Sequence, residues 1–171
     1  MIKYITFLIF SFSFTLSQSY TVQPPIIDKN GVIFKENDEL PYTGKITVFW
    51  GNNALKEEGI YREGVKSGLW KYWYKSGKLF SKGIFRNGLK TGVWIEWHEN
   101  GNKKTQSIYR NGLKNGREIN WSPEEVKLSE FSFQSGSKDG SFKKWFSSGN
   151  KRSAGNFVKG KENGKFLEWY D

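Results

Sequence analysis

The segment that decides the fold is GLWKYWYKSG, residues 68–77, which is followed by a return stretch from Lys78 to Arg86 and by Asn87-Gly88. Aromatic runs that end at Ser-Gly and Asn-Gly pairs are typical of β-hairpins, because a tight hairpin turn requires positive φ. Glycine recurs every few residues, and no apolar stripe with a 3.6-residue period survives between the glycines, so a helix is disfavoured. The segment predicts two antiparallel strands joined by a short turn.

This hairpin recurs along the chain with a fixed step of 24 residues. The recurring series are Gly44, Gly68, Gly92, Gly116, Gly140 and Gly164; Gly64, Gly88, Gly112, Gly136 and Gly160; Trp73, Trp97, Trp121, Trp145 and Trp169; and Tyr61, Phe85, Tyr109, Phe133 and Phe157. A repeat of this size buries its apolar surface only by stacking on its neighbours. We therefore expect an all-β fold: an elongated, single-layer antiparallel sheet of stacked hairpins, with equivalent residues about 9.6 Å apart.

Composition narrows the class of protein. The 171 residues carry 27 Lys and Arg against 17 Asp and Glu, a net charge of +10, and 18% of them are aromatic. The sequence has no Cys and one His, which excludes thiolate zinc sites, disulfide scaffolds, iron–sulfur clusters and cysteine nucleophiles. The aromatic content argues against intrinsic disorder.

The first residues are typical of a targeting segment. Met1-Ile2-Lys3 is a short positive start, and the uncharged apolar run from Tyr4 to Leu16 is too short to span a bilayer as a helix. We interpret residues 1–17 as a signal peptide cut before Gln18 or Tyr20, with an uncleaved membrane anchor as the alternative. A lipoprotein anchor is excluded because it needs a cysteine. The sequence thus predicts an exported protein, periplasmic or secreted.

One family shares this repeat. The pattern Gly-x-Trp-x-x-Trp-Tyr, then a Gly turn, an aromatic residue, Asn-Gly and a Lys is nearly complete from Gly68 to Gly116, and it resembles the MORN repeats in their bacterial variant form. The resemblance extends recognisably from Thr43 to Asp171. It implies a lead-in with a partial repeat at residues 18–43 and an array at residues 44–171, with five full units and a terminal strand.

The resemblance also implies a function. MORN arrays form elongated single-layer sheets that act as interaction and assembly modules, and some associate with phospholipid. Several bacterial relatives are labelled antitoxins. That label fits an exported chain poorly, because an exported protein does not meet a cytosolic toxin.

The fourth unit departs from the pattern. Its first Trp position is Glu118, and Ser122-Pro123-Glu124-Glu125 stands where the other units have a Gly turn. Proline cannot donate to a strand ladder, so we expect this hairpin end to bulge or to lie outside the pairing. It is interpreted either as a degenerate loop or as an acidic protrusion that recognises a partner.

Catalysis is not expected, and no cofactor or metal site is predicted. His98 occupies the position of Tyr74, Phe146 and Tyr170 and is interpreted as a substituted ring, since no second His or Ser–Asp pairing supports it. Glu96 and Glu118 are the best carboxylate pair for a hydrolase, and without a further polar cluster they resemble solvated strand positions. A hydrolase is the least favoured function.

Two basic rows follow from the period. Arg62, Arg86 and Arg110 are predicted to end the second strand of successive hairpins, and Lys66, Lys90, Lys114 and Lys138 to lie in linking turns. These residues are candidate ligand-binding positions for phosphates or acidic glycans of an envelope surface. The alternative is a solvated rim that keeps the sheet soluble and its edges unpaired. Nucleic acid is not an expected partner, because export removes the chain from it.

The rings supply a second candidate surface. Trp70 and Trp73 are expected on opposite faces, and most rings are expected to cover one another and neighbouring glycines. The Trp73 series is therefore interpreted as mainly structural, with an exposed strip that stacks sugars or a protein as the alternative. The terminal strand from Gly164 to Asp171 leaves an unpaired edge, from which we hypothesise an end-to-end homodimer.

The predicted function is a non-catalytic, exported scaffold that binds an unidentified protein partner in the cell envelope. Direct binding of an anionic lipid or glycan surface through the basic rows is the alternative. The two differ in salt dependence, since binding driven by exposed charges weakens as salt rises.

Overall fold

The structure is a computed structural model that describes Tyr20–Gln23 and residues 26–171. The expected signal peptide, residues 1–17, lies outside the described residues. Over the described part of the chain every regular element is a β-strand. No helix in that part is long and apolar enough to cross a membrane.

The strands are short at both ends of the chain and seven to nine residues long in between. They are β1 (Tyr20–Gln23), β2 (Ile26–Lys29), β3 (Val32–Lys35), β4 (Gly44–Trp50), β5 (Leu55–Arg62), β6 (Val65–Trp73), β7 (Leu79–Arg86), β8 (Leu89–Trp97), β9 (Lys103–Arg110), β10 (Leu113–Trp121), β11 (Lys127–Gln134), β12 (Ser137–Trp145), β13 (Lys151–Val158), β14 (Lys161–Glu162) and β15 (Leu167–Glu168).

Thirteen of these strands form one open antiparallel sheet. Its order is β1, then β4 to β14 in sequence, and β15 pairs with β13 beside β14. Consecutive hairpins pair edge to edge, which confirms the predicted all-β sheet of stacked hairpins. At about 4.8 Å per strand the array extends roughly 50 Å.

The lead-in supplies one edge strand and a cap. β1 pairs antiparallel with β4, and β2 and β3 form a separate two-stranded sheet. The Ile33 N–H donates to the Gly64 carbonyl at 2.9 Å, which fixes this hairpin on the first full unit. Ile33 then packs with Tyr61 and Trp70 in a buried apolar cluster. The lead-in therefore covers the first end of the core.

The Asn-Gly turns adopt the conformation that the sequence predicts. Asn87 has φ 49° and Gly88 has φ 75°. The Gly88 N–H donates to the Lys66 carbonyl of the preceding unit at 2.9 Å, and the corresponding glycines of the other units do the same. The second glycine series thus ties each hairpin turn to the unit before it.

The fourth hairpin keeps the turn geometry of its neighbours, although its turn sequence, Ser122-Pro123-Glu124-Glu125, differs from theirs. The Ser122 N–H donates to the Val126 carbonyl at 2.8 Å, and the Glu125 N–H donates to the Ser122 carbonyl at 3.0 Å. Glu125 takes the glycine position with φ 65°. Pro123 lies outside the ladder, as expected, because this turn position needs no N–H donor.

One face of the sheet, called the inner face, carries the core. On it Trp70 covers Gly59, and Trp94 covers Gly83 one unit later; a Cβ on either glycine would lie 2.2 Å from the indole. Both indole N–H groups donate to the carbonyl of the residue that follows the covered glycine, at 3.2 Å. Trp70 is fully buried. The prediction that rings cover neighbouring glycines is confirmed at these positions.

A polar pair replaces this packing in the centre of the array. Ser107 stands at the glycine position and Glu118 at the Trp position, and the Ser107 hydroxyl donates to Glu118 Oε2 at 2.8 Å. Lys114 forms an ion pair with the same carboxylate. Rings return in the next unit, where Phe131 and Phe142 stack with centroids 5.7 Å apart. We call Ser107, Lys114 and Glu118 the polar seam.

The terminal segment pairs only in part. β14 and β15 are two-residue strands, and both pair with β13. Phe166 and Leu167 are exposed there, and Tyr170 is fully exposed. The strand expected from Gly164 to Asp171 is thus reduced to Leu167–Glu168, which leaves little regular edge.

Candidate functional site

The face opposite the core, called the outer face, carries exposed aliphatic side chains. Ile60, Leu69, Ile84 and Val93 are 45%, 50%, 48% and 47% exposed. With Ile108 they make what we call the aliphatic row, one residue from each of the strands β5 to β9. Exposed apolar residues grouped in this way are typical of an interaction site rather than of a solvated sheet.

The strand register explains why these residues line up. Leu69 is the register partner of Ile84, and Val93 is the register partner of Ile108. In β6 the bulge at Gly68–Trp70 places two extra residues opposite Gly59. The bulge directs Trp70 inward and leaves Leu69 outward, since successive side chains alternate between faces.

The aliphatic row ends at β9, level with the polar seam on the inner face. The next positions of the same register are polar: Arg117, Ser132, Ser141 and Asn156. Along this register the outer face therefore has an apolar half over β5–β9 and a polar half over β10–β13. Such a division does not follow from the repeat itself, because the inner face carries rings in both halves.

Arginines border one side of the aliphatic row. Arg62, Arg86 and Arg110 are the last residues of β5, β7 and β9, as predicted, and all are exposed. Each lies two residues beyond an isoleucine of the row, so its side chain belongs to the same face. Within the described chain none of these guanidinium groups has an ion pair. Leu89 and Leu113, 50% and 52% exposed, lie beside them at the same edge.

Lysines border the other side of the row. Lys71 and Lys82 are register partners on β6 and β7, and Lys45, the register partner of Ile60, lies at the end of the row on β4. Glu58 lies among them and pairs with Lys45 at 3.2 Å and with Lys71 at 3.5 Å. Ile95 and Gln106 follow Lys82 in this register, so this margin is basic only beside β6 and β7, whereas the arginine margin follows the row as far as β9.

A shallow depression of about 180 Å³ marks the first end of the row. Its lining residues are Lys45, Glu58, Gly59, Ile60, Leu69 and Lys71. Two aliphatic side chains thus meet two lysines and a carboxylate around a recess. A second depression, of about 280 Å³, is lined by Lys103, Trp121 and Glu125 near the fourth hairpin turn.

The lysines predicted as binding residues lie on strands rather than in turns, and they face the core. Lys66 Nζ lies 3.9 Å from the centroid of Trp70, and the corresponding distances are 4.1 Å for Lys90 over Trp94 and 4.1 Å for Lys138 over Phe131. Lys114 Nζ lies 5.1 Å from the centroid of Phe133 and pairs with Glu118. These ammonium groups form cation–π contacts within the array.

Burial is visible in the electrostatics of the inner face. Burial lowers the pKa of Lys66 and of Lys90, although Glu57 and Glu96 respectively oppose the shift. Lys66 is held by an ion pair to Glu57 at 3.3 Å and a hydrogen bond to the Tyr72 hydroxyl at 3.0 Å. Burial, with the charges of Glu57 and Asp28, raises the pKa of Tyr61 to about 12. The inner face thus has the electrostatics of a packed core.

The Trp73 series lies near the other ends of the strands. Trp73, Trp97, Trp121 and Trp145 are half-buried, and Trp169 is 37% exposed. Most of them have a lysine at one ring face: Lys82 at 5.5 Å from Trp97, Lys103 at 5.9 Å from Trp121, Lys127 at 5.2 Å from Trp145 and Lys151 at 5.9 Å from Trp169. These rings are therefore lined by charge rather than gathered into one apolar strip.

The residues considered for catalysis have structural contacts. His98 Nε2 lies 2.9 Å from the Trp121 carbonyl, where the Tyr74 hydroxyl of the preceding unit donates to the Trp97 carbonyl at 2.7 Å. Glu96 and Glu118 lie on β8 and β10, with β9 between them. In the part of the chain that the structure describes, no three His, Asp or Glu side chains gather as a metal site would require.

Sequence reasoning missed the aliphatic row. A signal for it was present: isoleucine recurs at positions 60, 84 and 108, one residue before the aromatic series. Leu69 and Val93 each precede a Trp by one residue, and neighbouring side chains of a strand point to opposite faces of the sheet. What the sequence did not provide is the bulge, which decides the face on which each side chain lies.

A scan against models of known protein families gave no match to this chain, and a search of curated proteins gave no significant match.

Proposed function

We propose that the protein is a non-catalytic, exported scaffold of MORN-like hairpins that binds a partner protein through its outer face. The observation that carries the proposal is the aliphatic row. Ile60, Leu69, Ile84 and Val93 are each close to half exposed, and side chains of this kind gain about 25 cal/mol per Å² when a partner covers them. The inner face is already occupied by rings and lysines that contact one another.

The export part of the proposal rests on the positive start and apolar run of residues 1–16. The scaffold part rests on the repeat, because a stack of hairpins presents the same register at regular intervals. Extended repeat surfaces bind other chains over several units at once. The cell envelope is the setting that these two features suggest together.

The test compares two matched variants in the cells that produce the protein. Leu69→Ser/Ile84→Ser removes two members of the row, and Ser132→Ala/Ser141→Ala changes two positions of the same register in the polar half. Tagged proteins are cross-linked in the cells and isolated. We expect a specific cross-linked protein that is lost in the first variant and kept in the second. A partner retained equally in both variants contradicts the proposal.

A second function is favoured by a separate observation. Arg62, Arg86 and Arg110 form an exposed edge, and Leu89 and Leu113 protrude beside them. Arginine next to exposed leucine is suited to an anionic lipid surface, where the guanidinium groups meet phosphates and the leucines enter the interface. We propose this edge as the site of the alternative function.

Vesicle co-sedimentation tests this alternative. Neutral and anionic vesicles are compared at low and at physiological salt, with Arg62→Ala/Arg86→Ala/Arg110→Ala as the variant and Lys143→Ala as a control on the polar half. Binding to anionic vesicles that survives physiological salt and is lost in the triple variant supports the lipid function. Equal sedimentation of both variants, or none with any vesicle, contradicts it.

A further inference from the structure

We infer that the outer face binds an acidic amphipathic helix of the partner protein. The inference deepens the proposed function and rests on it, because it names the chemistry of the segment that covers the aliphatic row. Three features of the surface support it: the direction of the row, the satisfied backbone beneath it and the charge of its two borders.

The direction of the row matches a helix. The row crosses the strands β5 to β9, so its five side chains follow one another at about 4.8 Å and extend over roughly 19 Å. A helix has a pitch of about 5.4 Å and rises 1.5 Å per residue, so about 13 residues would cover this distance with one apolar contact per turn. An extended strand repeats its side chains on one face at about 6.8 Å, which matches the row less well.

The backbone beneath the row is already paired. β5 to β9 lie inside the sheet, and each is hydrogen-bonded to a neighbour on both sides. A partner on this face therefore finds no open strand edge along which to extend a ladder, unlike a peptide that is added at a sheet edge. A helix satisfies its own backbone, so it loses nothing by lying on such a surface.

The charge of both borders selects an acidic partner. Arg62, Arg86 and Arg110 lie on one side of the row, and Lys71 and Lys82 on the other. Arginines on every second strand are about 9.6 Å apart, close to the 10.8 Å of two helical turns. An acidic residue at every seventh position on the arginine flank of the helix would therefore face a cation, and an acidic residue near the start of the other flank would face Lys71 and Lys82. Complementary charge of this kind adds specificity and speeds association.

The recess at the first end of the row provides an anchor. Ile60 and Leu69 form its apolar wall, and its rim consists of Lys45 and Lys71 with Glu58, which pairs with both lysines. A single large apolar side chain of the helix fits this chemistry, and binding energy concentrates at such buried anchors. Arg117 marks the other end, where the apolar row gives way to polar positions.

The experiment uses designed peptides as probes and the full chain as the receptor. The acidic probe is a fluorescent 14-residue amphipathic peptide with leucine on one face and glutamate on both flanks. The basic probe has lysine at every glutamate position. Affinities are measured by fluorescence anisotropy at two salt concentrations, and circular dichroism reports whether the probe becomes helical when it binds.

We expect saturable binding of the acidic probe, with helix formation, and none of the basic probe. Leu69→Ser/Ile84→Ser should weaken the affinity about tenfold, and Arg62→Ala/Arg86→Ala/Arg110→Ala several-fold with a smaller salt dependence. Ser132→Ile/Ser141→Val adds apolar side chains to the same register in the polar half, and it should not weaken the affinity for the acidic probe. All of these sites except the half-buried Ser132 are exposed, so the variants are expected to fold, which thermal unfolding checks.

Three outcomes would overturn the inference. They are no binding of the acidic probe, equal binding of both probes, and full affinity in Leu69→Ser/Ile84→Ser. Displacement of the acidic probe by anionic vesicles would assign the face to lipid instead. If the acidic probe does not bind but Leu69→Ser/Ile84→Ser still loses its cellular partner, the inference of an acidic helix is wrong and the proposed protein-binding surface is supported. If that variant keeps its partner, the proposed function itself fails.

Discussion

At the scale of single residues, the structure depends on glycines that leave room for rings. Gly59 and Gly83 have ordinary φ values, and what requires glycine there is the indole that lies against the backbone. Gly68 and Gly92 differ: they adopt φ of 69° and 67° with open space around them. In the sequence both kinds of glycine recur with the same 24-residue step, and only the positions of the rings in the structure distinguish them.

Gly83→Ala is expected to destabilise the protein by about 2–3 kcal/mol, because the new Cβ overlaps the indole of Trp94 and the buried ring must move. Gly92→Ala is the matched control. It meets no atom within 4 Å and has only the backbone penalty of positive φ, about 1 kcal/mol. Urea denaturation measures both. A Gly83→Ala cost no larger than that of Gly92→Ala would show that the indole does not occupy this space.

The hydroxyl of Tyr61 gives the stability an alkaline limit. Its pKa is about 12 in the folded protein and about 10 when unfolded, so the unfolded chain loses the proton first and stability falls as pH rises from 10 to 12. Between pH 10 and pH 12 the free energy of unfolding of Tyr61→Phe should therefore fall by up to about 2 kcal/mol less than that of the wild type. Burial lowers the pKa of Lys66 and of Lys90, which has the opposite effect on stability, but both lysines are present in the wild type and in Tyr61→Phe. The difference between the two curves of stability against pH therefore reports Tyr61. Parallel curves would contradict the assignment.

At the scale of the hairpin, the polar seam divides the core. Ring contacts link Tyr61, Trp70, Phe85, Trp94 and Tyr109 on one side, and Phe131, Phe142, Phe157 and Phe166 on the other. Between them the Ser107 hydroxyl and the Lys114 ammonium hold Glu118. The carboxylate is well satisfied, but such a pair contributes less apolar burial than an indole over a glycine.

Restoring the repeat at the seam should reveal coupled positions. Ser107→Gly/Glu118→Trp recreates the pairing of Gly59 with Trp70, and we expect it to be more stable than the sum of its single variants by about 1–3 kcal/mol. Ser107→Gly alone removes a hydrogen-bond donor, and Glu118→Trp alone overlaps the serine side chain. A double-mutant cycle by urea denaturation measures the coupling, and strictly additive effects would show that the positions do not share a site.

At the scale of the whole molecule, the array has unequal ends. β2 and β3 cap the first units, where Ile46 and Val48 are almost fully buried. At the other end β14 and β15 have two residues each, and residues 159–171 are exposed throughout. In a stack held by nearest-neighbour contacts, the poorly covered end opens first. The expected homodimer through this edge stays a hypothesis.

Hydrogen exchange measures this difference. Backbone amides of β4 to β8 are expected to be protected at least tenfold more than those of β12 and β13, since the latter open together with the terminal segment. Uniform protection from β4 to β13 would instead describe a single cooperative unit. In that case neither the polar seam nor the exposed end would divide the stability of the array.

How far the sequence predicts this molecule depends on the scale. The 24-residue step predicts strand order, hairpins and Asn-Gly turns, because these depend on local φ and on repetition. The faces are harder to predict: one bulge at Gly68–Trp70 decides that Trp70 is buried and that Leu69 is exposed. The orientation of Lys66 was also not predictable, since its contact with Trp70 forms only once both lie on the inner face.

Photo-crosslinking tests most directly whether the aliphatic row is the protein-binding surface. Benzoylphenylalanine replaces Leu69 in one protein and Ser132 in another, both on the outer face, and the cells that produce the protein are irradiated. We predict a discrete adduct with one partner protein from position 69 and none from position 132. Adducts from position 132 alone, or none from either position, would contradict the assignment of the outer face over β5–β9 as the interface.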